Sequence, residues 1–321
     1  MKTHFTEADF NLSHIQDQTV AVIGYGIQGR NQAQNLRDSG IDVLVHNRKD
    51  KFSEQASDDG FRVYPIDQAV SKSDIILLLI PDGAQAKVYK EGIEPYIREG
   101  SMLVTAHGYS ITFGGLKPKD GIDVTLLAPR FPGHIVRKNY LNGIGTLAFF
   151  DSYKDVTGSG EKRGLALAKG IGLTNLLHVG LEEETHADLF IENFLIPRLR
   201  GTIESCYNIL KSNGISSEVA ALEAYQSGEI LGLLSDGINL GLYESFHSRT
   251  SPTCQFGVSE GYDKVNSSSM DDGQSIYEEI INGDFARKLA IEEKAGYPQK
   301  NQFNRNNLKS DFAQALKNLK D

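Results

Sequence analysis

TVAVIGYGIQGRNQAQNLRDSG, residues 19–40, sets a short apolar run directly before Gly24-Tyr25-Gly26-Ile27-Gln28-Gly29 and then a helical pattern. A G-x-G-x-x-G is weak evidence alone. Between a strand and a helix that open a βαβ unit, it is the context a dinucleotide fingerprint requires. The first glycine permits the tight turn, the second lets backbone approach a pyrophosphate, and the third lets the helix pack on the strand. The helix N-terminus then presents its partial positive charge to the phosphates. Gly24, Tyr25, Gly26, Ile27, Gln28 and Gly29 are therefore candidate cofactor-binding residues. The competing reading is a glycine-rich turn that binds nothing.

Working outward, residues 42–46, 74–80, 102–106 and 124–128 repeat the pattern of 19–24: short, mostly unbroken runs rich in Val, Ile and Leu. Such runs suit parallel strands covered on both faces. Helical patterns at 28–38 and 83–90 lie between them, and 145–150 reads as a closing strand. The expected class is α/β, with an N-terminal Rossmann-type, doubly wound parallel sheet and right-handed crossovers. After about residue 181 strand signals stop. Helical patterns follow at 182–212, 216–247, 275–294 and 306–319, with 251–274 reading as a loop rich in Ser, Gly and Asp. Pro197 should kink or divide the first of these. The expected domains are 1–181, binding the dinucleotide, and 182–321, all-helical.

Composition narrows the function. The 321 residues are 40% hydrophobic and 23% charged, an ordinary globular balance. With 33 Lys and Arg against 42 Asp and Glu, the net charge is −9, and there is no long basic run. This argues against a nucleic-acid partner or an anionic membrane surface. The longest apolar stretch, Ile75 to Ile80, is too short to span a bilayer. MKTHFTEADF lacks the apolar core of a signal peptide, so secretion is not expected. Cys206 and Cys254 give neither zinc spacing nor a disulfide framework, which fits a reducing cytoplasm.

Three further features bear on chemistry. The second strand should end near Asn47, where an NAD site usually carries an acid. Here the chain reads Asn47-Arg48-Lys49-Asp50-Lys51-Phe52-Ser53, whose cations and hydroxyl favour a ribose 2′-phosphate and hence NADP. Asp50 leaves NAD open, and a solvated basic loop is the bland alternative. Asp188 and Glu192 stand four apart on a helical pattern, so they share a face. The pattern alone favours a solvated acidic face, but like charges so placed could also hold Mg²⁺. His107 follows a strand end, where such sheets place ligands, and reads equally well as structural or catalytic.

With these residues in place, the chain resembles the short, single-knot class of ketol-acid reductoisomerases from about residue 17 to 318. The likeness rests on VAVIGYGIQGRNQAQNLRDSGIDV at 20–43, LLIPDGAQAKVYKEGIEP at 78–95 and AHGYSITFG at 106–114. APRFPGHIVR at 128–137, EEETHADLFIEN at 182–193 and FARKLAIEEKAGYP at 285–298 complete it. The resemblance implies an NADP-binding Rossmann domain, a knotted helical domain and a site completed by a second subunit in a homodimer. It also implies Mg²⁺ and a small ketol-acid substrate: 2-acetolactate undergoes an alkyl shift, and NADPH reduces the resulting 2-keto acid to a 2,3-dihydroxy acid. That reaction belongs to branched-chain amino acid synthesis. By the same resemblance His107, Arg130 and Glu192 are catalytic, and Asp188, Glu192 and Glu223 hold metal. Ser251 holds the substrate carboxylate. Arg48, Lys51 and Ser53 contact the 2′-phosphate, while Asp82, Gln85 and Gly133 border the cofactor.

The departures from the family pattern fall at the chemistry. The family's fourth metal-site acid is Ser227 here, a weak neutral ligand, and Glu229 points to another helix face. The family's lysine after Ala-Pro is Arg130, which cannot be deprotonated, and the glycine after it is Phe131. Ser-Asp-Thr-Ala-Glu-Tyr-Gly becomes Ser251-Pro252-Thr253-Cys254-Gln255-Phe256-Gly257. Three readings stay open: a reductoisomerase, a divergent paralogue that reduces another keto acid or an imine without alkyl migration, and a non-catalytic NADP-binding protein.

Overall fold

The computed structural model describes residues 3–319. The chain divides into two compact units, Met1–Ala187 and Asp188–Asp321.

The first unit is built on one eight-stranded sheet. Its strands are β1 (His4–Phe5), β2 (Thr19–Ile23), β3 (Asp42–His46), β4 (Ile75–Leu78), β5 (Met102–Thr105), β6 (Asp123–Pro129), β7 (Leu147–Lys154) and β8 (Asn175–His178). Their spatial order is β1-β8-β7-β6-β5-β4-β2-β3. From β3 to β6 every pairing is parallel. The order reverses between β2 and β4, which makes their C-terminal ends the switch point where doubly wound sheets bind ligands. The strand expected at 145–150 is β7, but it pairs antiparallel to β6. β1 and β8 were not legible: β1 has only two residues, and β8, with one fully buried residue of four, lacks the continuous apolar run of the inner strands.

Alternation along the strands fills both faces. Val20, Val22, Ile75 and Leu77 belong to one buried cluster. Ala21, Ile23, Ile76 and Leu78 belong to the other. Burial on both faces is why these strands read as continuous apolar runs. Helix α1 (Ile27–Asp38) and helix α2 (Lys51–Asp58) follow β2 and β3. A buried ion pair, Arg163 to Asp123 at 3.2 Å, ties the N-terminal ends of the strands, with Arg163 also donating to the carbonyls of Gly100 and Asp74.

The second unit is helical throughout its described residues. Residues 181–212 run as helix Leu181–Phe190, a π turn Ile191–Leu195 and helix Ile196–Ser212, so the division expected at Pro197 is made by the π turn just before it. Pro197 directly follows that turn within a continuous helical run, where its missing N–H removes one ladder hydrogen bond. The loop expected at 251–274 is instead part of one helix, Pro252–Ile281, of 30 residues. Ser251 caps it, its hydroxyl accepting from the Cys254 N–H, and Pro252 opens it. The low helix propensity of its Ser, Gly and Asp residues is overridden by this strong start. Among the described residues, one buried cluster of this unit is formed by Tyr207, Ala220, Ala221 and Ala315, with Phe312 against the Tyr207 ring at 4.6 Å. No helix among the described residues is long and apolar enough to cross a membrane.

Candidate dinucleotide site and catalytic residues

At the switch point the strand ends open a cavity of about 350 Å³, lined among others by Gly24, Gly26, Asn47, Arg48, Asp50 and Pro81. The three fingerprint glycines do different work. Gly24 has φ +105°, and a Cβ there would lie 2.7 Å from the Leu79 carbonyl oxygen. A Cβ on Gly29 would collide with the Gly24 carbonyl oxygen, so this glycine lets α1 dock. Gly26 has nothing within 4 Å of its would-be Cβ and leaves backbone open to an incoming pyrophosphate.

The residues between the glycines turn elsewhere. Tyr25 is fully buried, its hydroxyl donating to Asp59 Oδ2 at 2.9 Å. Burial and this acidic partner push its phenol well above the ordinary range. Arg30 reaches both oxygens of Asp59, at 2.7 and 3.1 Å, and holds that carboxyl below its usual range. Ile27 is exposed, and Gln28 donates to the Phe131 carbonyl at 3.0 Å. Gly133 is buried against the Ile27 carbonyl, where a side chain would not fit, so it packs helix Gly133–Leu141 on α1.

The loop after β3 is a closed network. Asn47 Oδ1 accepts from the Tyr25 N–H at 2.9 Å, and Asn47 Nδ2 donates to Asp50 Oδ1 at 2.8 Å. Asp50 caps α2, accepting from the Phe52 and Ser53 N–H groups, and pairs with Arg48 at 2.8 Å. The Ser53 hydroxyl donates to the Asp50 carbonyl at 2.8 Å, and Lys51 Nζ lies 5.1 Å from the centre of the Phe52 ring. Across the cavity, Gln85 is buried and pins its own loop, donating to the Ile80 carbonyl at 2.9 Å and to Asp82 Oδ1 at 3.1 Å.

His107, just past β5, places Nδ1 3.5 Å from Asp82 Oδ2, which links the loop after β4 to the loop after β5. The next residue presses on helix Leu181–Phe190: a Cβ on Gly108 would run into Thr185, and the Gly108 N–H donates to Glu184 Oε2 at 2.9 Å. The other oxygen of Glu184 lies 3.3 Å from Arg130 Nη1. Arg130 also sets its guanidinium 4.7 Å from the centre of the Phe149 ring. Glu184 is fully buried, and the sequence reading passed over it. The available signal was its spacing: Glu184, Asp188 and Glu192 recur every four residues.

Asp188 is half-buried one turn beyond Glu184 and shares its helix face. Glu192 is exposed, the second residue of the π turn Ile191–Leu195. Glu223 is likewise exposed and second in a π turn, Leu222–Gln226, with Ser227 directly after it. Such turns recur at functional sites because they re-aim side chains within a helix. Ser251 is exposed, its hydroxyl accepting from Cys254 as a helix cap.

A glycine fingerprint at a sheet switch point, beside a cavity and a row of charged strand-end residues, defines a nicotinamide-dinucleotide oxidoreductase. Residues 14–176 match the family model described as acetohydroxy acid isomeroreductase, NADPH-binding domain. Residues 181–321 match ketol-acid reductoisomerase, C-terminal domain. The chain belongs to the ketol-acid reductoisomerase family. It is 38% identical over 299 residues to a ketol-acid reductoisomerase (NADP(+)) of Petrotoga mobilis, covering 92% of this chain and 90% of that one. It is similar to the structure of an NADH-preferring ketol-acid reductoisomerase from an uncultured archaeon, with TM-score 0.93 and 28% identity over 100% of this chain and 98% of that one. A semialdehyde dehydrogenase NAD-binding protein from Cupriavidus necator shares the fold alone, with TM-score 0.64 and 17% identity over 83% of this chain and 99% of that one.

Proposed function

We propose that this chain converts a 2-acetolactate-type ketol acid to a 2,3-dihydroxy acid, using NADPH and Mg²⁺. The observation that carries the reading is the Asp82–His107 link, which joins the edge of the dinucleotide cavity to the loop that holds Glu184. Hydride donor and proton-handling groups then share one end of the sheet.

The carboxylates of Asp188, Glu192 and Glu223 are hard oxygen donors, the chemistry Mg²⁺ takes. When bound, the metal supplies Lewis acidity to the substrate oxygens during the alkyl shift. Asp188 and Glu192 would hold it from one helical run and Glu223 from another. Ser227 offers a neutral hydroxyl where the family has an acid, so the donor set carries one negative charge fewer.

The protein's own groups bind and orient. Gly24 and Gly26 receive the pyrophosphate of the cofactor. His107, held toward Asp82, is placed to take or return a proton at a substrate oxygen. Arg130 pairs with Glu184 and fixes it in place, and cannot itself relay a proton. Ser251 offers its hydroxyl to the substrate carboxylate.

That fixed Arg130–Glu184 pair, together with Ser227, favours one second reading: a paralogue that performs only the reduction. Supplying protein, NADPH and Mg²⁺ with 2-acetolactate, and separately with 3-hydroxy-3-methyl-2-oxobutyrate, separates the two. Turnover of both supports the reductoisomerase, and turnover of the second alone supports the paralogue. No turnover of either opposes both.

We further infer a homodimer and a cytoplasmic setting. The second unit exposes many large apolar side chains, with Ile238 85%, Phe256 67% and Val265 66% exposed. A second copy of the chain is the occupant that the family resemblance names for such faces. Both cysteines are free and exposed, which suits a reducing compartment.

A further inference from the structure

Gly24 and Gly26 give the turn after β2 its shape, Gly24 with φ +105° and Gly26 with φ −81° and ψ −152°. Without a Cβ both have wide conformational freedom, so that shape must be imposed by their neighbours. Tyr25 stands between them. Its N–H donates to Asn47 Oδ1 at 2.9 Å, its ring meets Phe61 edge-on at 5.7 Å, and its hydroxyl donates to Asp59 Oδ2 at 2.9 Å. Arg30, directly after Gly29, reaches both oxygens of the same carboxylate. One acid therefore holds the chain on both sides of Gly26-Ile27-Gln28-Gly29. Asp59 is fixed in turn: Gln55 Nε2 donates to its Oδ1 at 3.2 Å, and its carbonyl accepts from Arg37 Nη1 at 2.7 Å. Its side chain is 13% exposed, and the residues lining the cavity do not include it. It caps the C-terminal end of α2, where the helix dipole disfavours an acid, so its contribution lies in what it holds.

We propose that Asp59 is a positioning residue for the cofactor, gripping Tyr25 and Arg30 from behind so that the glycine turn meets the pyrophosphate already in shape. Binding then loses less to ordering the turn and the first turn of α1. Asp59 acts only through Tyr25 and Arg30 and touches no part of the ligand. The pyrophosphate is common to both nicotinamide dinucleotides, so Asp59 serves NADPH and NADH equally. The inference deepens the proposed function, resting on this cavity being the dinucleotide site and not on the identity of the keto acid.

The test reads affinity and melting on the same variants. Tyr25→Phe keeps the buried ring and removes only the hydroxyl, while Asp59→Asn removes the charge that both partners share. Titrated well below the melting temperature of each variant, the Kd for NADP⁺ should rise about fivefold in Tyr25→Phe and about twentyfold in Asp59→Asn, the scale of lost preorganisation. The Kd for NAD⁺ should rise by the same factors, and in steady state the loss should fall on KM for the cofactor more than on kcat. Adding Tyr25→Phe to Asp59→Asn should change little further, because the two remove one shared contact. Variants that melt lower yet bind NADP⁺ with wild-type affinity overturn the proposal, and so does a loss confined to one of the two nucleotides. Should Asp59→Asn fail to fold, Tyr25→Phe decides alone, and a wild-type Kd in it overturns the proposal. A wild type that binds neither nucleotide overturns this role together with the proposed function. If the wild type binds both nucleotides but turns over no keto acid, the proposed reaction alone fails, and the affinities of the variants still decide the role of Asp59.

Discussion

Arg130 lies 3.3 Å from a fully buried Glu184, whose second oxygen accepts the Gly108 N–H. The carboxylate is thus satisfied on both sides, and each partner comes from a different strand end. Losing Arg130 removes a cationic partner from a buried carboxylate, a change that costs several kcal/mol in buried pairs. Arg130 is a quarter exposed, so the cost here is at the low end. Arg130→Ala should lower stability by about 2–3 kcal/mol, read as a shift in urea midpoint, whereas Arg130→Lys should cost less than half of that.

The same relationship bears on the reaction. Because arginine cannot give up a proton, Arg130→Lys combined with Ser227→Glu restores both a relay group and a fourth acid. We expect the double variant to turn over 2-acetolactate about tenfold faster than the wild type. If turnover does not rise, Phe131 becomes the residue that limits the alkyl shift.

Glu184 also fixes the backbone next to His107. Glu184→Gln keeps the shape but weakens the grip on Gly108 and Arg130. Turnover should fall about a hundredfold, the scale of lost orientation at a reacting group. Affinity for 2′,5′-ADP should not move, since Glu184 lies outside the dinucleotide cavity. Equal losses in both would show that Glu184 supports the fold of the whole unit and not the site.

The fingerprint glycines should separate folding from binding. Gly26→Ala meets open space, so the protein should fold with its normal melting temperature yet bind 2′,5′-ADP about tenfold more weakly. Gly29→Ala drives a methyl into the Gly24 carbonyl, and the variant should lose soluble expression or melt well below the wild type.

Asp59 gives a signed pH effect. Its carboxyl is held below the usual range chiefly by the hydrogen bond from Arg30. A depressed folded-state pKa contributes stability that is full above the unfolded value, about 3.9, and is lost as pH falls through the folded one. Wild type should therefore exceed Asp59→Asn in urea midpoint at pH 7, and the gap should close as the pH is lowered into the carboxylate range. A gap independent of pH would assign the effect to packing.

Much of the first unit was legible because its physics is local. Strands buried on both faces must be apolar throughout, so β2 to β6 announced themselves, and the glycine spacing marked the turn. The second unit was harder. Residues 251–274 carry so many Ser, Gly and Asp residues that they read as a loop, although Ser251 and Pro252 begin a long helix. That helix exposes Phe256 and Val265, side chains with no core to enter within their own unit. Local propensity cannot reveal a helix of this kind. Glu184 escaped notice because it ends a run of three acids, Glu182 to Glu184, and nothing local says which one turns inward. The π turns carrying Glu192 and Glu223 leave no sequence mark either, yet they alter the four-residue spacing that first drew attention to Asp188 and Glu192.

The inferred homodimer can be tested by dilution. Sedimentation should find no monomer at micromolar concentration, and Ile238→Asp should release one, because it buries a charge in an apolar contact. A wild-type monomer would contradict that inference.

The central claim is that one end of this sheet brings a hydride donor to a rearranging ketol acid. The most direct measurement is product analysis after incubating the protein with NADPH, Mg²⁺ and 2-acetolactate. The account predicts one 2,3-dihydroxy-3-methylbutyrate formed for each NADPH consumed. Consumption of NADPH with the carbon skeleton of acetolactate unchanged, or no consumption at all, would contradict it.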